Sequence, residues 1–168
     1  MSERWTLGVR ILSHQIDRAT WRNTLTYRIT RRLQIGVEYN PLAPDVRSLV
    51  NAHLLTETKN RPALIFGTSS DRIGTPSGQS FYLTLSKDLR DWTGLRIAPY
   101  AGVAYGTFED RARPIGGINL RFTRRTSALV IFDGVRVHPT LNYQTGRHVL
   151  SLVLVKGKDP GASYSIAF

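Results

Sequence analysis

The chain has no cysteine. That absence excludes a disulfide framework and thiolate metal ligation, and it leaves the redox compartment open. Lysine is scarce: Lys59, Lys87, Lys156 and Lys158 are the only lysines among 23 basic residues, so arginine carries the positive charge. No apolar run approaches the roughly eighteen residues of a membrane helix. The start, Met1-Ser2-Glu3-Arg4-Trp5, shows no basic leader followed by an apolar segment. As written, the chain is expected to be neither secreted nor helix-anchored. Acidic residues are also few, 12 in all, which leaves a net charge of +11. An arginine surplus suits carboxylates, phosphates and buried ion pairs. Its partners would be anionic lipid, nucleic acid or an acidic protein, unless it only lines a solvated or lumenal face.

What is present is a two-residue period. Trp5, Leu7, Val9 and Ile11 alternate with Thr6, Gly8 and Arg10, and Tyr164, Ile166 and Phe168 alternate with Ser163, Ser165 and Ala167. Such alternation places the apolar set on one face of a strand and the small or polar set on the other. The same pattern marks 20–29 and 33–39, the clearest hairpin, around Thr30-Arg31-Arg32. Strands are expected at 48–57, 61–67, 79–87, 96–106, 112–122 and 128–132, then at 136–143, 147–156 and 161–168. Tight turns join most of them, with 14 Gly and 8 Pro as punctuation. Gly67 to Gly78 reads as the longest loop, and Asp159-Pro160-Gly161 as a turn. The expected fold is all-β: one domain over 1–168, an up-and-down antiparallel meander closed or nearly closed into a barrel of about 10–12 short strands. Periodicity alone leaves open which face is wet. In a soluble barrel the apolar stripes fill the interior; in a membrane barrel they meet lipid.

One short phrase repeats. Arg28-Ile29-Thr30-Arg31-Arg32 and Arg121-Phe122-Thr123-Arg124-Arg125 share the order Arg, apolar, Thr, Arg, Arg. Each reads as a polar hairpin tip, or the two together as a basic patch on one rim.

Several phrases resemble small bacterial outer-membrane β-barrels, most closely those associated with exopolysaccharide export. They are 61–67 (RPALIFG), Ile73-Gly74-Thr75, 82–87 (YLTLSK), 100–106 (YAGVAYG), Phe132-Asp133-Gly134 and the terminal 164–168 (YSIAF), within a similarity over about 30–168. The resemblance implies an up-and-down barrel and makes the terminal aromatic similar to an assembly signal. Against that pattern, segments such as 61–67 and 137–143 run about seven residues, where spanning strands need roughly nine to eleven. Strands of that length would leave a barrel shallow or partly open.

Candidate chemistry is thin. Gly67-Thr68-Ser69-Ser70-Asp71 has Asp where a nucleophile elbow needs its second glycine. Gly157-Lys158 lacks the rest of a phosphate loop. His14, His53, His138 and His148 have no ligand spacing, although a hairpin could bring His138 and His148 together. Asp88 with Asp91, and Glu109 with Asp110, read as solvated loop acids. Glu38 and Glu57 are expected on polar strand faces, within reach of Arg10, Arg22, Arg28 or Arg121. Neither an enzyme nor a cofactor or metal site is expected.

The leading expectation is a non-enzymatic structural or accessory subunit, held by basic loops at a membrane surface or on a membrane-protein complex, for instance an energy-transducing one. The absent leader favours the cytoplasmic face. Contact with complex subunits or anionic lipid is expected through Arg31, Arg32, Arg124 and Arg125, with Trp92 as a loop anchor. The alternative is an integral barrel of the bacterial outer membrane, a passive pore or export component. A nucleic-acid-binding barrel stands third, because the aromatics share their face with aliphatic residues rather than with arginines.

Overall fold

Alternation assigns each strand an apolar and a polar face, and in the computed structural model, which describes residues 3–168, every strand is paired on both sides by closure. Met1 and Ser2, on which the expectation of a missing leader partly rests, lie outside the described residues. Twelve antiparallel strands form one closed barrel in meander order. They are β1 (Trp5–Leu12), β2 (Trp21–Arg28), β3 (Leu33–Tyr39), β4 (Val46–Leu55), β5 (Ala63–Ser70), β6 (Gln79–Ser86), β7 (Ile97–Gly106), β8 (Arg111–Arg121), β9 (Thr126–Phe132), β10 (Val137–Thr145), β11 (His148–Val155) and β12 (Asp159–Ala167). The last strand pairs with the first through Leu7 opposite Ile166 and Val9 opposite Tyr164. Two single-turn helices interrupt the connections, α1 (Asp17–Thr20) and α2 (Arg90–Thr93).

The expected barrel is therefore present, with some boundaries shifted. Residues 67–70 are strand rather than loop, because Gly67 to Ser70 pair with Tyr82 to Gln79. Asp159-Pro160-Gly161 opens β12 instead of forming a turn. The chain reverses at Lys156 and Gly157, both at positive φ. The segments expected at seven residues are longer, eight in β5 and nine in β10. Strands of eight to ten residues at about 3.3 Å per residue, tilted by about 40°, rise roughly 20–25 Å.

Four prolines lie inside strands although a closed barrel has no edge to hold them. Each sits where one neighbour has already ended. Pro114 pairs with Val103 on β7, but β9 begins its pairing with β8 only at Gly116. Pro139 pairs with Val130, while β11 joins β10 only from Thr140. Pro99 lies just past the β6 register, and Pro160 just past that of β1. The stagger between strands supplies the unpaired side that proline requires.

The wall is apolar outside and small or polar inside. Leu25, Ile35, Val37, Leu83, Val103, Leu141, Leu150 and Leu152 are exposed on the outer face. Aromatics bracket this belt. Trp5, Tyr143, Tyr164 and Phe168 lie toward the rim that carries the chain termini, hereafter the terminal rim. Trp21, Tyr39, Phe81, Tyr105 and Phe132 lie toward the opposite, distal rim. Inward positions hold Thr24, Thr26, Ser80, Thr84, Asn142, Ser151, Ser163 and Ser165, with arginines at 10, 22, 28 and 113.

Two inward tyrosines lie over inward glycines across a strand pair. A Cβ on Gly67 would stand 2.1 Å from the Tyr82 ring, and one on Gly117 would stand 2.6 Å from the Tyr100 ring. Glycine at these sites lets the tyrosine fold flat against the neighbouring strand, a device that pins register and curvature.

Candidate functional site: the basic rim and the lumen

The meander places alternate connections at alternate ends, so the termini and five connections form the terminal rim: 29–32, 56–62, 87–96, 122–125 and 146–147. This rim, including the strand-terminal Arg28 and Arg121, holds 13 of the 23 Lys and Arg but 4 of the 12 Asp and Glu. The rest of the barrel holds 10 and 8, so nearly all of the net charge sits at one end.

Both copies of the Arg-apolar-Thr-Arg-Arg phrase lie on this rim and build the same turn. The Thr30 hydroxyl accepts the amides of Arg32 and Leu33 at 3.1 and 3.0 Å, and the Thr123 hydroxyl accepts those of Arg125 and Thr126 at 3.1 and 3.0 Å. Threonine caps the turn, and the two arginines that follow it are exposed. The phrase is thus a turn motif and a charge carrier at once. The two copies do not form a single patch, however. Six strands separate them in either direction around the barrel, so they stand on opposite sides of the mouth.

Arg31 and Arg32 border a cavity of about 260 Å³ with Arg28, Gln34, Asn51 and His53. On the far side, Arg124 joins Arg90, Arg96, Arg121, Tyr100 and Asn119 around a cavity of about 700 Å³. Arg125 lines the neighbouring cavity of about 440 Å³ with Arg121 and Gln144. Trp92, on α2, is 62% exposed, and the Lys87 ammonium sits 5.5 Å from its ring centre. All five contact residues read from the sequence therefore lie at one end of the molecule. The mouth between them is open, since Arg28, Arg121 and Gln144, inward at this end, are exposed.

The distal end is shut. Leu12, Arg18, Glu38, Asn40, Asp71, Thr75, His138 and Val155 are all buried there. Arg18 on α1 is the tie: its guanidinium donates to the carbonyls of Thr75 at 2.6 Å, Arg72 at 2.7 Å and Asp71 at 3.1 Å. Burial holds the Arg18 pKa below its ordinary value, opposed by the nearby Glu38 and Asp71 carboxylates. Asn40 reaches the Arg18 carbonyl at 2.9 Å, so three loops lock together.

Beside this plug, Glu109 bridges Arg72 at 2.7 Å and Arg113 at 3.2 Å. Hydrogen bonds from Arg72 hold the Glu109 carboxyl down to about 2, with both guanidinium charges adding to the effect, and raise the Arg72 pKa in return. Asp133 binds His138 Nε2 at 2.8 Å. Burial pushes the Asp133 carboxyl up, but that hydrogen bond and the amides of Arg136 and Val135 leave it below the usual range.

Several expected pairings differ. Glu38 is on an inward strand face and pairs with Arg22 at 2.7 Å, as the pattern suggests. Glu57 instead lies in a rim turn and pairs with Lys87 at 3.1 Å. His138 and His148 share a hairpin but lie at opposite ends of it, one buried inward and the other exposed and bonded to the Tyr164 hydroxyl at 2.7 Å. The plug residues Arg18, Asp71, Arg72 and Glu109 carry no sequence signal beyond the length and glycine content of 67–78. Arg18 and its partners are separated by 53 to 57 residues, which local patterning does not register. No protein-family model matches the chain, and no curated protein matches it.

Proposed function

We propose that this chain is an integral membrane β-barrel of the bacterial outer-membrane type, non-enzymatic, with a basic mouth on one side of the membrane and a plugged lumen on the other. The observation that carries the reading is the outer wall: a continuous belt of exposed Leu, Ile and Val bracketed at both ends by Trp, Tyr and Phe. Soluble monomers rarely expose contiguous apolar patches beyond a few hundred Å². Aromatic girdles around an apolar band about 25 Å tall are the pattern of lipid-facing barrels, and the strand rise estimated above suits that height. Small and polar inward residues suit a hydrated lumen equally well.

A peripheral accessory subunit, held by its loops, uses the same basic rim but leaves the outer belt without a partner. The ring of arginines then acts at headgroup level, where each basic residue gains about 1 kcal/mol on an anionic surface. Trp92 beside Lys87 suits the same interfacial depth.

The test is refolding into lipid vesicles, followed by gel migration with and without boiling and by urea unfolding of Leu83→Arg and Leu152→Arg. Both leucines lie mid-strand on the outer belt. Heat-modifiable migration and a loss of about 2–4 kcal/mol for each arginine are expected if lipid surrounds them. A chain that folds in plain buffer and tolerates both substitutions within about 0.5 kcal/mol would overturn the reading.

A further inference from the structure

We propose that Arg10 and Arg22 form a binding site for one small oxyanion, of phosphate, sulfate or carboxylate type, inside the lumen. The register sets Arg10 directly opposite Arg22 on β1 and β2, both facing inward. Like charges directly opposite destabilise a strand pair unless something neutralises them. Glu38 neutralises one, with its Oε2 2.7 Å from Arg22 Nε. Arg10 makes no hydrogen bond or ion pair among the described residues, and its Nε is buried.

The neighbouring acids are engaged elsewhere. Asp71 accepts the amides of Arg72 at 2.8 Å and Phe108 at 3.2 Å. Glu109 holds Arg72 and Arg113, and Asp133 holds His138. Around this end of the lumen Arg18 donates to backbone carbonyls, Arg22 pairs with Glu38, and Arg72 and Arg113 pair with Glu109, whereas Arg10 has no such partner among the described residues.

Space is available for the missing charge. Arg10, Arg22, Ser69, Ser70 and Thr140 line a cavity of about 260 Å³, large enough for a tetrahedral oxyanion, and Arg72, Asp71 and Asp133 also reach its wall. The Thr140 hydroxyl, which has no partner of its own among the described residues, adds a donor beside the guanidinium fork. That fork matches two oxygens of a carboxylate or phosphate. A cation is disfavoured because three guanidinium groups in the wall (Arg10, Arg22 and Arg72) face two carboxylates (Asp71 and Asp133), and both carboxylates are engaged elsewhere. His138, on the same wall, is spent: Nε2 faces Asp133, and Nδ1 accepts the Lys156 amide at 3.1 Å. The site depends on the inner face alone, so it stands whether or not lipid surrounds the outer one.

Equilibrium dialysis of the folded barrel in detergent micelles against labelled inorganic phosphate tests the proposal. One phosphate per chain is expected, about tenfold or more weaker in Arg10→Gln, the loss expected of a charge-assisted hydrogen bond. The rim variant R31Q/R32Q/R124Q/R125Q should retain the site, which separates it from diffuse binding at the mouth. Thr140→Val offers a milder variant if Arg10→Gln does not fold, and a severalfold loss is expected there. Absence of stoichiometric binding, binding unchanged in folded Arg10→Gln or Thr140→Val, or binding lost only in the rim variant would overturn the site. Gel heat-modifiability, scored on the same samples, reports the membrane reading separately.

Discussion

Arg18 shows how one side chain can close one end of a barrel. A guanidinium that is 2% exposed survives burial because it donates to three carbonyls of the 71–78 loop. Replacing it with glutamine strands those acceptors, and each unsatisfied buried group costs about 1–3 kcal/mol. Arg18→Gln should therefore lower the urea midpoint of unfolding by an amount equivalent to about 2–4 kcal/mol, and it should speed proteolysis within 71–78 before the strands open. Glu109 adds a pH dependence. Its carboxyl is held at about 2, below the ordinary 4.5, so the stability it contributes is complete above about 4.5 and is lost as pH falls toward 2. Denaturation of the wild type between those values should be steeper in pH than that of Glu109→Gln. Equal slopes would mean that the bridge to Arg72 and Arg113 is not formed in solution. Neither residue is legible in the sequence, where Arg18 is one of many arginines and Glu109 one of two adjacent loop acids.

At the scale of the strand, much was legible and the errors are instructive. Period-two alternation together with the turn residues between segments located all twelve strands, since alternation marks the faces and turns mark the ends. The misread boundaries lie where glycine and proline act inside strands instead of ending them. Gly67 belongs to β5 because Tyr82 from the next strand lies over it, and Pro160 belongs to β12 because its neighbour β1 stops at Leu12. Composition records the residue and not the neighbour that makes it useful. Gly67→Ala would force the Tyr82 ring off its seat, at an overpacking cost of about 1–3 kcal/mol. Combining it with Tyr82→Ala should cost less than the sum of the two single changes, since the clash then has no second party. Strict additivity in urea unfolding would show that the ring does not rest on Gly67.

For the whole molecule, polarity runs in two directions: apolar to polar across the wall, and neutral to basic along the axis. The axial asymmetry has a direct consequence. At low salt, the preference of the protein for vesicles containing phosphatidylglycerol over neutral ones should fall by about 1 kcal/mol for each arginine removed among 31, 32, 124 and 125. The two pairs stand on opposite sides of the mouth, so their effects should add within about 0.5 kcal/mol. At about 1 M salt the preference should vanish, because charges are then screened beyond roughly 3 Å. A preference indifferent to both changes would remove the rim from any role in lipid contact. The paired basic turns were visible as a repeated phrase, but their placement on one rim and on opposite sides of it follows from strand count and order.

The sequence by itself determined the strands, the alternation of their faces, the tight turns and the arginine surplus. These are local properties, written in spacings of two to five residues. Only the tertiary structure decided which face looks outward, because exchanging inside for outside leaves a period-two pattern unchanged. In the closed ring of twelve strands Gly, Ser, Thr and Arg face inward and the aliphatic belt faces outward. Closure gathered thirteen basic residues at one mouth and brought Arg18 to Asp71, Arg72 and Thr75 at the other. Contacts across fifty residues depend on ring geometry, and local spacing does not encode them.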